Sequence, residues 1–385
     1  MTWVARDIKI LSLGFLLIFF GFGGAQHYLT TYLSESGMPE VGFNSLIIIY
    51  LFFALSGLLS AVVVSKYGAK KSMILAAVAY SLFLYVLPTK SAALIYAASA
   101  LLGIFASILW TGQNSYLIRA SGTESYGRDA GYFNTYQTLG SALGALIFGI
   151  LALKLMFGKS FLIYSVFPLA GILVLSGIKD IKVKEKTNRL ELIRKALFSA
   201  TALRLSCLWF AVNFIHGLII GIIPVEIGKN MGIGYIGLLS SLFYILPISA
   251  SYHLGKLSDS RGRKNMIILS YAFLILGCLS LMQKGAGFIV FGVALFALNW
   301  AITKPITLAL IGDVSTKENL EYITALFWMV QNFGVVSALF LSRVMDTGAV
   351  YIASLAIIAS SLIVLYPLSR LGKEEIKKRI EQELK

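Results

Sequence analysis

The 385-residue chain has little charge, little acid in particular, and almost no cysteine. Asp and Glu number 18 against 33 Lys and Arg, 13% of residues are charged, and there are two cysteines, seven prolines and three histidines. Cys207 and Cys278 both fall inside long apolar runs, which argues against a disulfide framework and paired-cysteine metal sites. So small a polar fraction excludes a soluble fold, because too little polar surface remains to coat one. Patterns of the GxxxxGK[ST], HExxH and GxSxG types are missing as well. The chain is therefore read as a non-enzyme, with no ATP site, cofactor or metal expected.

What is present is hydrocarbon. The chain is 58% hydrophobic with a mean hydropathy of +0.82. Apolar runs of about 18 to 25 residues, the length that crosses ~30 Å of bilayer, are drawn at roughly 10–32, 43–64, 73–89, 92–117, 130–152, 161–178, 205–227, 235–254, 266–283, 286–311, 323–345 and 348–369. They are continuously apolar and lack the alternation of a barrel wall, so the spanning element is the helix. The expectation is an all-α membrane protein of twelve transmembrane helices. The first run is too long for a signal-peptide core and has no convincing small-residue cleavage site, so it is kept as helix 1.

Those twelve runs repeat. Ser65-Lys66-Tyr67-Gly68-Ala69-Lys70-Lys71 and Asp259-Ser260-Arg261-Gly262-Arg263-Lys264-Asn265 lie 194 residues apart, each closing one apolar run and opening the next. Phe20 and Phe214, Gly23 and Gly217, Tyr50 and Tyr244, Gln137 and Gln331, and Gly140 and Gly334 keep the same offset. One register held through several helices reads as a tandem duplication. The expected domains are a six-helix half over 1–178, a basic linker over 179–204, a second six-helix half over 205–371 and an amphipathic tail over 372–385. Two repeats in a membrane chain point to a transporter with its site near mid-membrane.

Charge sets the expected orientation. With the N-terminus in the cytoplasm, the inner segments carry 26 of the 33 Lys and Arg, the outer loops six, and Lys304 alone falls inside a helix. That asymmetry is the positive-inside pattern, and it places the chain in the plasma membrane with both termini cytoplasmic. The net charge of +15 is explained by topology and by attraction to anionic lipid at the inner surface; no nucleic-acid partner is needed, and a monomer is expected. In the linker, Leu190, Ile193 and Leu197 share one helical face while Arg189, Arg194 and Lys195 lie elsewhere; the tail repeats this with Ile376, Ile380 and Leu384. Both fit short helices lying on the membrane surface, and both fit equally a solvated spacer and a frayed end.

The string Gly255-Lys256-Leu257-Ser258-Asp259-Ser260-Arg261-Gly262-Arg263-Lys264 closely resembles the loop signature of the major facilitator superfamily, which joins the second and third helices of a half. Gly262 permits a tight turn and Gly255 a close helix approach. Asp259 can pair with arginine or with a helix N-terminus in a contact that breaks when the halves rock. The resemblance implies a twelve-helix fold of two pseudo-symmetric halves and assigns a conformational latch to Asp259, Arg261 and Arg263, with Gly255, Gly262 and Lys264 around them. The first copy keeps Gly68, Lys70 and Lys71 but has Ala61 and Ser65 where the pattern calls for glycine and aspartate. A narrower resemblance covers most of helices 1 to 5: Gly21 to Gln26 (GFGGAQ), Tyr50 to Ser56 (YLFFALS), Ser65 to Met73 (SKYGAKKSM), Leu109 to Leu117 (LWTGQNSYL), Gly127-Arg128 and Gln137. These look like the branch containing the nematode "uncoordinated" muscle protein, an ion-channel regulator, and its animal relatives that escort innate immune receptors.

Polar side chains within the spans are unevenly distributed. They are Gln26 and His27 in helix 1, Gln113 and Asn114 in helix 4, Asn134 and Gln137 in helix 5, Asn213 and His216 in helix 7, His253 in helix 8, Asn299 and Lys304 in helix 10, and Gln331 and Asn332 in helix 11. Such groups are costly in lipid unless they face the bundle interior. A central cavity lined by helices 1, 4, 5, 7, 8, 10 and 11 is expected, with helices 3, 6, 9 and 12 peripheral. Lys304 stands out, because burying an isolated ammonium costs roughly 2.5–3.5 kcal/mol on insertion scales. Pro305 should kink the helix there and free the carbonyl of Ala301, while Trp300 lies one turn away within cation–π reach. Aligning Trp110 with Trp300 places Gln113 and Asn114 opposite Thr303 and Lys304. Lys304 either helps hold an anionic or carbonyl-bearing ligand, with Gln113, Asn114, Gln137, Gln331 and Trp300 as neighbours, or snorkels to the inner surface. His216, near mid-span beside Asn213, is the best candidate for carrying a proton, and a polar packing role fits it equally.

Two functional classes follow. One is a secondary transporter moving a small organic solute, anionic or neutral, by rocker-switch alternating access. The other is a non-transporting regulator or chaperone of another membrane protein, docking through its outer helices or linker. A polar chamber around Lys304 favours the first, and a collapsed one with an apolar external groove favours the second.

Overall fold

A computed structural model describes residues 4–181, 198–231, 234–283, 285–316 and 318–384. Among them there is no strand. The helices in the first half are α1 (Arg6–Gln26), α2 (Leu29–Glu35), α3 (Pro39–Leu55), α4 (Gly57–Tyr67), α5 (Ala69–Val86), α6 (Ala92–Ala120), α7 (Tyr126–Leu155), α8 (Phe157–Tyr164) and α9 (Val166–Leu175). The second half has α10 (Ala200–Ile220), α11 (Ile222–Asn230), α12 (Gly234–Arg261), α13 (Arg263–Leu281), α14 (Ala286–Val314), α15 (Leu320–Val344) and α16 (Thr347–Leu365), and α17 (Lys373–Glu383) forms the tail. The twelve expected spans are α1–α2, α3–α4, α5, α6, α7, α8–α9, α10–α11, α12, α13, α14, α15 and α16.

Ten stretches of the described residues are long and apolar enough to cross a bilayer, one of them α8 and α9 taken together, and the bent pair α3–α4 adds an eleventh. The twelfth by position is α12, whose 28 residues are ample in length but carry Ser251, Tyr252 and His253 in mid-course. Four spans are broken where continuous helices were expected. A bend of 58° between α3 and α4 falls at Ser56-Gly57, the small-residue pairing that commonly admits a kink. Gly57 sits there against the Ala325 carbonyl and the Met329 side chain of α15, so the bend brings the second span onto the eleventh.

Glycine sets the closest approaches. A β-carbon on Gly24 would overlap the backbone at Gly144 of α7, and one on Gly140 or Gly144 would overlap carbonyls of α1. The Gly21 to Gly24 run is thus a helix-packing surface. Between the halves, Gly127 and Gly255 lie back to back, and Gly131 faces the Ser251 carbonyl; the α7–α12 seam is a small-xxx-small contact on both sides. Gly68 and Gly262 start α5 and α13 with φ/ψ of 86°/150° and 84°/145°, a region essentially reserved for glycine. The duplicated loops therefore share one backbone turn as well as a sequence pattern.

The tail differs from both of its readings. α17 turns Ile376, Ile380 and Leu384 into the second half's apolar core, where all three are buried, against α10 and α14. Its apolar face is covered by protein in place of bilayer. Glu383 fixes the contact by accepting hydrogen bonds from Ser199 Oγ (2.6 Å), Thr201 Oγ1 (2.6 Å) and the Thr201 N–H (3.0 Å) at the start of α10. The amphipathic pattern expected at Arg189, Leu190, Ile193, Arg194 and Lys195, with Leu197, lies outside the described residues.

Candidate functional site

A cavity of about 110 Å³ lies between the halves. Gln26, Asn134, Gln137, Asn213, His216, Trp300, Lys304, Gln331 and Asn332 reach its wall, from spans 1, 5, 7, 10 and 11. The polar count could not see two further contributors: α3 supplies Tyr50 and Phe53, and α5 supplies Tyr80. From α12 the contributor is Tyr244, whereas His253 is exposed on the outside of the bundle.

Lys304 turns inward. Its Nζ sits 4.1 Å from the Trp300 ring centre and 5.6 Å from that of Trp328, geometry in which ring quadrupoles attract the cation. No carboxylate pairs with it among the described residues. Snorkelling is excluded in this conformation, because the stem points along the indoles and away from the helix end. His216 stacks on the same Trp300 at 4.5 Å and 22°, and its Nδ1 has no hydrogen-bond partner among the described residues. The Trp328 indole N–H and Asn332 Oδ1 are likewise unpartnered and buried, although Asn332 donates to the Trp328 carbonyl at 2.6 Å and Asn213 to that of Trp209 at 2.9 Å.

Of the residues expected around Lys304, Gln113 and Asn114 are elsewhere, as is Asn299 from the wider polar set. Asn299 donates to the Ser270 carbonyl on α13 at 3.0 Å, and so serves packing inside the second half. Asn114 donates to Thr324 Oγ1 of α15 at 3.2 Å. Gln113 is buried with neither amide atom partnered among the described residues, and does not reach the cavity wall. The offset of 190 that set Gln113 and Asn114 opposite Lys304 does not hold at the cavity: the repeat offset of 194 makes Trp110 the mate of Lys304, both reach the wall, and Asn114 turns to α15 instead. The carbonyl that Pro305 frees at Ala301 is not left beside the ammonium either; Ser251 Oγ of α12 donates to it at 3.3 Å and itself accepts from Asn134 Nδ2 of α7 at 2.9 Å.

Trp328 was the main omission. It stands three and four residues before Gln331 and Asn332, on the same helical face, and that spacing was the signal. Tyr50 and Tyr244 were visible as a matched pair at the repeat offset, and both bond polar ends of the first span: Gln26 Nε2 donates to Tyr50 Oη at 3.2 Å, and His27 Nε2 is hydrogen-bonded to Tyr244 Oη at 2.9 Å. The His27–Tyr244 bond ties the two halves together on the far side of the cavity.

On the side of the duplicated loops, Asp259 accepts hydrogen bonds from the N–H groups of Gly127 (3.0 Å) and Arg128 (2.9 Å). A carboxylate of the second half thereby caps the N-terminus of α7 in the first, where the helix dipole favours it. Arg263 pairs with Asp259 at 3.1 Å and with Asp313, and donates to Ser258 Oγ at 2.8 Å. Arg261 and Lys264 are exposed and make no described contact there. In the first copy, Lys70 Nζ donates to the carbonyls of Ser176 (2.6 Å) and Ile178 (2.7 Å), closing the end of α9 within its own half; Lys71 is exposed.

Known proteins match this architecture. The family model for the Major Facilitator Superfamily matches residues 11–338 and again 205–384. UNC93-like protein 3 of Arabidopsis thaliana is 37% identical over 112 residues, 29% of this chain and 23% of that protein. Protein unc-93 homolog A of Bos taurus is 31% identical over 162 residues, 40% of this chain and 34% of that one. The matched stretches thus span about a quarter to a third of these relatives. Among solved structures, the proton:xylose symporter XylE bound to 6-bromo-6-deoxy-D-glucose superposes with a TM-score of 0.79 at 11% identity, over 98% of each chain. The human organic anion transporter MFSD10 does so with 0.75 at 14% identity, over 95% of this chain and all of that one. With the family model covering most of its length, the fold shared end to end and the loop signature in place, the chain belongs to the major facilitator superfamily, with a likeness to UNC93-like proteins within it.

Proposed function

We propose that the protein is a secondary transporter that carries a small organic solute with an anionic or carbonyl group across the membrane by alternating access. The carrying observation is Lys304, a cation held between two indoles with no carboxylate partner among the described residues. An ammonium so placed costs too much to be retained as packing, and a ligand oxygen would complete its hydrogen bonding. Around it, Gln137, His216, Gln331 and Asn332 offer donors and acceptors for the rest of the solute, with Gln26, Asn134 and Asn213 further along the wall. The halves 1–178 and 205–371 would rock about this point, with the linker 179–204 and the tail 372–385 on the cytoplasmic side, as the charge count favours. Asp259, Arg263, Gly127 and Gly255 would make and break the contact at that end.

The test is uptake into liposomes of the purified protein, screened first by thermal shift against organic acids, sugars, amino acids, nucleosides and amphiphilic drugs. Lys304→Ala should abolish the shift and the uptake of the acids that the wild type recognises. An unchanged ligand profile in that variant removes the proposal. A chain that binds a membrane protein and moves no solute under any gradient would instead be the regulator that the UNC93-type likeness allows.

A further inference from the structure

The wall that faces Lys304 is aromatic to an unusual degree. Phe, Tyr and Trp make up 13% of the chain but ten of the twenty-five residues around the cavity, including three of the five tryptophans. The enrichment lies in the site itself, and no methionine lines it. The rings are also held in place by one another. Trp110 meets Trp328 at 5.2 Å, Phe19 at 5.2 Å and Phe133 at 6.4 Å, and Phe53 stacks along Trp328 at 6.3 Å with 26° between planes. A wall of interlocked rings is preorganised for a flat apolar partner, unlike the adaptable surface that flexible side chains give.

Charge and size narrow the class further. Among the described residues, one ammonium and no carboxylate reach the cavity, which matches a single negative charge; a dianion would leave one charge unpaired in a low-dielectric site. The volume of about 110 Å³ is on the scale of the ~150 Å³ cavity known to admit benzene. It lies well below the ~300–1,000 Å³ of sites for drug-sized ligands. The halves touch on both sides of the cavity, through Asp259 with Gly127 and through Tyr244 with His27, so this is the space enclosed between them.

From these observations we infer that the transported solute is a single-ring aromatic monocarboxylate, its carboxylate on Lys304 and its ring against the Trp110, Phe133 and Trp328 wall. The inference rests on the transporter reading above and adds the ring to it. A hydroxyl on the ring would meet Gln137, Gln331 or Asn332, so polar substituents are tolerated where a second ring is not.

Ligand pairs separate the ring from the charge. Binding to the purified full-length protein is measured by tryptophan fluorescence and calorimetry for benzoate, cyclohexanecarboxylate, benzyl alcohol and 2-naphthoate. Benzoate is expected to bind about ten-fold more tightly than cyclohexanecarboxylate, the worth of one good ring–ring contact, and both should lose binding in Lys304→Ala. Phe133→Leu should shrink the preference for benzoate several-fold by weakening benzoate more than cyclohexanecarboxylate, a split between two ligands that a misfolded variant cannot give. Equal affinity for the two acids overturns the ring inference and leaves the carboxylate reading standing. Naphthoate binding as tightly as benzoate overturns the size limit. Benzyl alcohol binding while neither acid does, or no binding by any of the four, overturns both the inference and the anion reading beneath it.

Discussion

Glu321 at the start of α15 pairs with Arg119 at the end of α6 at 2.5 Å, joining the halves where the first loop has no aspartate. The repeat explains the placement. Glu321 lies 194 residues after Gly127, whose N–H is held by Asp259, and Asp313, a partner of Arg263, lies 194 residues after Arg119. In one copy the acid is on the loop and the helix start is a glycine; in the other the loop has Ser65 in place of the acid and the acid stands at the helix start. The contact between the halves that the first loop lacks is thus made there by an ion pair with the acid on the opposite partner.

Breaking that pair from one side should loosen the end bearing the duplicated loops. Both side chains are nearly buried, 9% and 4% exposed, and removing one partner of such a pair costs about 3–5 kcal/mol. Glu321→Gln is expected to lower the melting temperature and to lengthen spin-label distances between the halves at that end. The exchanged pair Arg119→Glu with Glu321→Arg should recover more than half of the loss.

A new acid in the first loop should do harm, although the family pattern has one there. Ser65 is the repeat mate of Asp259, so Ser65→Asp would place a carboxylate toward the α15 start, which already carries Glu321. Like charges at a partly buried contact repel, and the same distance measurement should show opening. A closed or tightened end would refute the exchanged-polarity account.

Within the second loop the residues should divide sharply. Asp259→Asn keeps the shape but gives up the charge on two backbone N–H groups and on Arg263, a loss of about 1–2 kcal/mol from the cap alone. Arg261→Ala and Lys264→Ala alter exposed side chains and should stay within about 0.5 kcal/mol. Thermal denaturation of the three variants side by side checks the contrast.

The tail contact should be sensitive to acid. Partial burial pushes the Glu383 carboxyl up, but the hydrogen bonds from Ser199 and Thr201 outweigh it and hold the group below its ordinary value of 4.5. A lowered folded value means that the stabilisation is complete above the unfolded value and is lost as pH falls through the folded one. Amide-exchange protection of Lys373–Glu383 should therefore be flat from neutral pH down to about 5 and collapse below about 4. Glu383→Gln should remove the step and weaken protection at neutral pH.

The sequence carried the fold because lipid leaves few choices. Continuous apolar runs can only be helices, and the 194-residue offset can only be a repeat; neither depends on neighbours. It also located Lys304 and Trp300, which are one turn apart on one helix. What it missed depends on helix rotation and on contacts across the seam. Gln113 and Asn299 are as polar as Gln137, and only the packed structure separates the amide that faces the cavity from those that face other helices. Tyr80 and Phe53 escaped because a ring at the cavity looks like a ring in the core. Tail burial was hidden for a related reason, since an amphipathic stripe fits a bilayer and a protein groove equally well.

The chain of bonds from Asn134 through Ser251 to the Ala301 carbonyl crosses the seam only once. Ser251 and Ala301 belong to the same half, so the proline-bent α14 keeps its substitute hydrogen bond however the halves move. Asn134 belongs to the other half, and separation of α7 from α12 releases its amide. Opening would therefore hand the cavity an extra hydrogen-bonding group, and closing would take it back. Under the proposed transport, the site would then be more polar while open than while closed, which would favour capture of a solute from water and a drier, ring-lined interior around it.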